Sequence, residues 1–163
     1  MVKCKNREII EMYLRISESL TDPSMNTKLK RIFAHRLSLQ ELLEWLHSKV
    51  EFEKKLSVRH NDPFEIIQYG RGMCREFSVL YNAICLANGY RARLVLDMSD
   101  HAWVEVLEKK SGRWIHVDPS EKRIDDPRMY EREWKKDLKE VYAFENGKIE
   151  DVTKRYKINK DKC

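Results

Sequence analysis

The sequence predicts an α+β fold, with helices over its first half and an antiparallel sheet over its second. Three observations carry this expectation. Apolar residues recur at intervals of three and four through the first sixty positions. A further helix, entered through glycines, begins at Cys74. From Arg91 onward the period falls to two, and the strands so marked are joined by short turns rather than crossover helices.

Taken in order, "NREIIEMYLRISESL" sets Ile9, Tyr13, Ile16 and Leu20 at helical spacing, and Asp22-Pro23 is read as its stop. The segment between Asn26 and Leu37 is expected to be helical too. "SLQELLEWLHSKVEFEKKL" opens with Ser38 and has Glu41 three residues on, the pattern of a capping box, and buries Leu39, Leu42, Leu43 and Leu46. Asp62-Pro63 reads as the N-cap and first position of a short helix through Ile67, ended by Gly70 and Gly72. In the helix from Cys74, residues Phe77, Leu80, Tyr81, Ile84 and Cys85 form a buried stripe, and Gly89 terminates it. "RARLVLDM", "HAWVEVLE" and "RWIHVDP" are strands, the last two joined by a loop from Lys109 to Gly112. Asp125 to Lys136 reads as a solvated helix or irregular excursion. "VYAFENGKIEDVT" is a hairpin with Asn146-Gly147 as a type I′ turn, and the basic tail "KRYKINKDKC" is expected to be solvated or frayed. One domain is expected across 1–163, with a helical part over 1–62 and a core over 63–156.

The chain has 163 residues, 42% apolar and 36% charged, with a mean hydropathy of −0.69. That composition predicts a soluble globular protein. No stretch offers the roughly 20 apolar residues of a membrane span, and "MVKCKNREII" lacks a signal-peptide core, so a cytoplasmic location is expected. The net charge of +5 arises from 32 basic and 27 acidic residues mixed along the chain, a solvated surface rather than a nucleic-acid patch, and no nucleic-acid partner is expected. The oligomeric state is not written in the sequence. Cys4, Cys74, Cys85 and Cys163 form no CxxC pair, and HExxH, P-loop and GxGxxG motifs are missing, so neither metal nor cofactor is expected.

Chemistry is therefore sought at Cys74. A cysteine in the first turn of a helix lies at the positive end of the helix dipole, near unpaired backbone N–H groups that favour its thiolate. An ordinary thiol, with a pKa of about 8.5, is only a few per cent ionised at pH 7. Gly70 and Gly72 are read as keeping the approach to the sulfur open. Cys85, on the apolar stripe, reads instead as a small buried hydrophobe.

A nucleophilic thiol needs a base, and the base an orienting group. Period two puts His101, Trp103 and Glu105 on one face of their strand, and Trp114, His116 and Asp118 on one face of the next. Closing the hairpin at Lys109–Gly112 sets Glu108 opposite Arg113 and Trp103 opposite Asp118. His101 is then the diagonal neighbour of Asp118, with backbones roughly 5 to 8 Å apart. His116 competes as the base, and Asp97 and Asp100 compete with Asp118 as the orienting carboxylate. His35, His47 and His60 read as surface or packing residues.

The run "GRGMCREFSVLYNAICLANGYRARLVLDMSDHAWVEVLEKKSGRWIHVDPSE" resembles the core of the transglutaminase-like superfamily: a cysteine at a helix start, a DH-x-W-x-E strand and a W-x-H-x-D strand. "WKKDLKEVYAFENGKIEDVTKRY" is also similar to the close of the peptide N-glycanase catalytic domain. The resemblance implies a papain-like thiol fold. Cys74 would attack an amide carbonyl, His101 would shuttle the proton and Asp118 would fix the imidazole. The expected reaction is amide hydrolysis through a thioester on a protein, peptide or glycopeptide, as a peptidase or N-glycanase-like amidase. Transamidation and a non-catalytic peptide-binding module are the alternatives. Trp103 is expected to line the cleft and Gln68 to be a candidate oxyanion donor. Glu76, just after the cysteine, is expected to make a structural ion pair with Arg91 or Arg93. Unlike the N-glycanases, the chain carries no pair of CxxC motifs before the cysteine.

Overall fold

A computed structural model describes residues 2–158. Helix α1 (Val2–Ser19) lays Tyr13, Ile16 and Leu20 inward. Asp22-Pro23 both separates this helix from the next and starts that next one: the Asp22 carboxylate accepts from the Ser24 backbone N–H at 3.2 Å, and Pro23 is the first residue of α2 (Pro23–Lys30). The helix expected over 26–37 therefore lies earlier and is shorter. Residues 31–37 are held in irregular backbone by the end of a later helix: Arg36 Nε donates to the Asn88 carbonyl and the Leu37 N–H to Asn88 Oδ1, both at 3.0 Å. Tertiary contacts override local propensity here.

Helix α3 (Leu39–Lys49) has the predicted capping box between Ser38 and Glu41, and buries Leu42, Leu43 and Leu46. It stops short of the expected end because Val50 turns extended and β1 (Glu51–Phe52) pairs in parallel with β2 (Arg71–Gly72). Between them, α4 (Pro63–Tyr69) is capped by Asp62 and closed by Gly70 in the left-handed region at φ +72°. Gly72 has a different role from the open approach expected of it. It is buried, and a Cβ there would lie 2.7 Å from Glu76 Cβ and 3.3 Å from Phe77, so it lets the chain pass tightly over the next helix.

That helix, α5 (Cys74–Ala87), is the axis of the molecule. Beyond the predicted stripe, Ser78, Val79, Asn82 and Ala83 are also buried, because α2, α3 and α4 cover one side while the sheet covers the other. A helix enclosed this way is apolar nearly all round. The sheet has the order β6-β5-β4-β3-β7-β8, with all pairs antiparallel. Its members are β3 (Ala92–Asp97), β4 (His101–Glu108), β5 (Arg113–Asp118), β6 (Arg123–Ile124), β7 (Val141–Glu145) and β8 (Lys148–Asp151). The hairpin register runs from Glu108↔Arg113 to Val104↔Val117, which continues to Trp103 opposite Asp118 as the loop length predicts. Asn146 and Gly147 both have positive φ, +48° and +73°, as a type I′ turn requires.

Both faces of the sheet are covered. Leu94, Leu96, Ala102, Val104, Val106, Val117 and Phe144 face the helices and share one core with Tyr13, Leu42, Phe77 and Ile84. On the opposite face, Val95, Trp103, Val141 and Ala143 are roofed by Met129 and Tyr130 of α6 (Met129–Arg132), by Leu138, and by Val152 and Tyr156 around α7 (Thr153–Tyr156). This corrects two expectations. The 125–136 excursion is anchored by buried Met129 and Tyr130, and the tail is docked as far as Tyr156. Both gain by covering apolar strand residues that would otherwise face water. The tail's last residues, 159–163 with Cys163, lie outside the described residues. No helix among the described residues is long and apolar enough to cross a membrane.

Candidate active site

Cys74 is the first residue of α5 and is half-buried. The turn that presents it is fixed by Glu76, whose carboxylate accepts the Met73 backbone N–H at 3.0 Å and binds the Arg59 guanidinium through two nitrogens. Burial pushes the Glu76 carboxyl up, but Arg59 and these backbone N–H groups hold it below the usual range. The expected partners are corrected: Arg93 pairs with Glu105 on the far face of the sheet and Arg91 with Glu145, whereas Arg59 arrives on the loop before α4.

His101, the first residue of β4, is buried and hydrogen-bonded through Nε2 to Asp118 Oδ2 at 2.8 Å. Cys74 lies near enough to this imidazole to act on its charge. With Nε2 committed to Asp118, Nδ1 is the nitrogen left for the thiol. Burial pushes the ring's pKa down, yet the hydrogen bond to Asp118 and the charges of Asp118 and Cys74 outweigh it and raise it to about 9. Its surroundings thus favour the charged form of the ring. Asp118 is fully buried and accepts four hydrogen bonds: His101 Nε2 and Tyr130 Oη on Oδ2, Ser120 Oγ and the Glu121 N–H on Oδ1. Burial pushes its carboxyl up, and His101, Tyr130 and Ser120 together bring it below the ordinary value.

The competing candidates are separated by their partners. Asp97 and Asp100 both bind Lys136 Nζ at 2.6 Å and neither bonds His101. His116 is engaged at both nitrogens. Nδ1 accepts the Asp126 N–H at 3.2 Å, so Nε2 carries the proton and donates to Tyr130 Oη at 2.7 Å. Burial lowers its pKa to about 4 and keeps it neutral. Cys85 is fully buried, and burial drives its thiol well up. His35 is exposed, His47 binds the Pro119 carbonyl at 2.7 Å, and His60 lies 3.4 Å from Glu65.

One expectation about substrate contacts changes, that for Trp103. Trp103 is 0% exposed and cannot line a cleft: it stacks on Tyr130 with ring centroids 4.2 Å apart and meets Tyr156 edge-on at 4.8 Å. It forms the floor under the imidazole. Gln68 is exposed on α4 and makes no hydrogen bond to Cys74, His101 or Asp118. The aromatic with surface to offer is Trp134, 37% exposed, its ring edge-on to His101 at 4.9 Å. Sequence reasoning missed Tyr130 and Trp134. The available signal was their spacing of four in "MYEREW", one face of a helical turn. Among the described residues, no three His, Cys, Asp or Glu side chains stand close enough to hold a metal ion.

The model of the transglutaminase-like superfamily matches residues 21–119, a span that contains Cys74, His101 and Asp118. The chain belongs to the transglutaminase-like superfamily. A second model, the Rad4 transglutaminase-like domain, matches residues 98–161. Among curated proteins, this superfamily member is 44% identical over 104 residues to the peptide-N(4)-(N-acetyl-beta-glucosaminyl)asparagine amidase of Caenorhabditis briggsae, covering 64% of the chain and 17% of that protein. It is 42% identical over 95 residues to the amidase of the same name from Oryza sativa subsp. japonica, covering 58% of the chain and 21% of the relative. The chain thus matches about a fifth of these relatives' length. Among solved structures it is similar to Rad4-Rad23 bound to a 6-4 photoproduct UV lesion, with a TM-score of 0.65, 16% identity, and 94% and 49% of the two chains covered. It is also similar to Rad4-Rad23 crosslinked to an undamaged DNA, with a TM-score of 0.54, 17% identity, and 93% and 45% covered. At that identity the likeness is one of fold. Because those neighbours hold DNA, the comparisons lend no support to the expectation that nucleic acid is excluded.

Proposed function

We propose that the chain is a thiol-dependent amide hydrolase whose substrate is a glycopeptide carrying an asparagine-linked sugar. The observation that carries this reading is the imidazole of His101 hydrogen-bonded to a buried carboxylate, with a half-buried thiol at a helix N-terminus near enough to act on its charge. In the reaction, the Cys74 sulfur, its proton held on His101, bonds to the amide carbonyl carbon. The C–N bond then breaks as His101 returns that proton to the leaving nitrogen, leaving a thioester. Water attacks the thioester, giving a proton to His101, and the C–S bond breaks to release the acid. Asp118 keeps the ring oriented and stabilises its charged form. The first half-reaction suits a peptide bond equally. The glycosylated side chain is preferred because the curated relatives are amidases of glycosylated asparagine and because Trp134 offers an exposed flat ring beside His101. On this reading residues 63–156 carry the chemistry, and the helices of 1–62 brace α5.

The test is incubation with a denatured glycoprotein, with casein, and with casein plus a fluorescent amine. Release of intact glycan, lost in Cys74→Ala, supports the proposal. Casein cleavage without glycan release makes the chain a peptidase, and amine incorporation makes it a transamidase.

A second reading, a binding module that acts on no bond, is favoured by the Rad4 domain match over residues 98–161. It predicts duplex DNA or peptide binding that survives Cys74→Ala, with no turnover of any of the three substrates.

A further inference from the structure

Behind the thiol, imidazole and carboxylate lies a buried phenol that the reaction as drawn does not use. Tyr130 Oη donates to Asp118 Oδ2 at 2.8 Å, the same oxygen that holds His101 Nε2 at 2.8 Å. The phenol in turn accepts from His116 Nε2, and His116 Nδ1 is occupied by the Asp126 N–H. The hydrogen bonds therefore run one way, from the Asp126 backbone through His116 and Tyr130 to Asp118. An oxygen that accepts two donors shares its charge between them. The phenol and the imidazolium compete for Oδ2, and each donor in the chain polarises the next.

We propose, resting on the hydrolase reading above, that Tyr130 is a positioning residue that limits how strongly Asp118 holds the proton on His101, with His116 setting the direction of its hydroxyl. Too strong a grip would keep the imidazolium from releasing its proton to the leaving nitrogen; the second donor on Oδ2 weakens that grip. The ring of Tyr130 has a separate structural role, stacked on Trp103 at 4.2 Å and edge-on to Trp134 at 5.2 Å. Tyr130→Phe removes the hydroxyl and keeps the ring. The charged and titratable groups around His101 are few. Cys74 comes from α5, Asp118 and His116 from β5, and Tyr130 from α6, with Glu121 beyond it. Asp97 is the register partner on β3 and is neutralised by Lys136, which also binds Asp100.

The experiment is an NMR titration of the His101 ring in the full chain, as wild type, Tyr130→Phe and His116→Asn, alongside the pH profile of glycopeptide hydrolysis. Loss of a hydrogen bond to a charged acceptor should move the His101 midpoint upward by roughly one pH unit in Tyr130→Phe. The shift should be smaller but in the same direction in His116→Asn, and the alkaline limb of hydrolysis should move with it while KM holds. A His101 midpoint unmoved in either folded variant overturns the proposal. The titration reads Tyr130 without any substrate, so a wild type that hydrolyses nothing removes the hydrolase reading and leaves the tyrosine's effect on His101 still decided.

Discussion

Two polar clusters with buried centres lie on the same face of the sheet, separated by the packed rings of Trp103, Tyr130 and Tyr156. At one end Arg93 binds Glu105 at 2.8 Å and Glu150 at 2.6 Å, while Glu105 also accepts from Tyr156 Oη at 2.6 Å and Arg155 at 3.2 Å. The Arg93 guanidinium lies 3.9 Å from the centre of the Trp114 ring. At the other end are His101, Asp118, Tyr130 and His116. Both clusters have a buried centre, Arg93 with Glu105 in one and His101 with Asp118 in the other, and both contain charge that burial alone would oppose. The difference is in what the groups can do. The arginine cluster is made of fixed charges whose partners all come from the protein, and it pins α7 to the sheet. The histidine cluster holds two imidazoles pushed in opposite directions, to about 9 and about 4, and one of them keeps a nitrogen for a half-buried thiol. Buried charge by itself does not mark a site. A titrating group with a position still open marks a site.

That contrast can be broken at either end. Asp118→Asn should have the largest effect on turnover, a fall of roughly 10³ to 10⁴ in kcat, because an amide that donates to Nε2 fixes the wrong tautomer of the imidazole. Its alkaline limb, near about 9 in the wild type, should move down toward the ordinary histidine value of 6.5. Stability should follow the same window. A raised native pKa stabilises fully below 6.5 and loses that contribution as pH rises through about 9, so the wild-type Tm should fall over that range and that of Asp118→Asn should not.

Glu105→Ala attacks the other cluster. It leaves buried Arg93 with only the exposed Glu150 carboxylate and should cost about 3 kcal/mol in denaturant unfolding. In the protein that remains folded, the pH profile of hydrolysis should stay where it was. A moved profile would mean that the clusters act as one unit and that their contrast is false.

Trp134→Ala is the mildest change. It should raise KM for a glycopeptide several-fold, equivalent to about 1 kcal/mol, with kcat and Tm nearly unchanged.

The sheet end of the site was legible in the sequence because its geometry is arithmetic. A four-residue loop fixes the register, and the register puts His101 diagonal to Asp118 on one face. Capping chemistry likewise marks the starts of α3 and α4. The rest depended on contacts across the fold. Tyr130 sits in "PRMYEREWKKD", where charge hides a buried ring, and only the packing of α6 on Trp103 reveals it. The buried state of Trp103 follows from the tail folding back as far as Tyr156, which no local periodicity announces. Arg59 reaches Glu76 from a loop without any repeating pattern. The helix expected over 26–37 yielded to Asn88, 52 residues from Arg36 and 51 from Leu37 in the chain, for the same reason.

The central claim is that His101 activates Cys74, and a pair of cysteines on one helix tests it. Iodoacetamide labelling, resolved by peptide mass, should be followed against pH at Cys74 and Cys85, with Cys85 serving as the buried control. Rapid labelling of Cys74, and its loss in His101→Ala, is the predicted result. A Cys74 that labels at the same rate at every pH whether or not His101 is present contradicts the account.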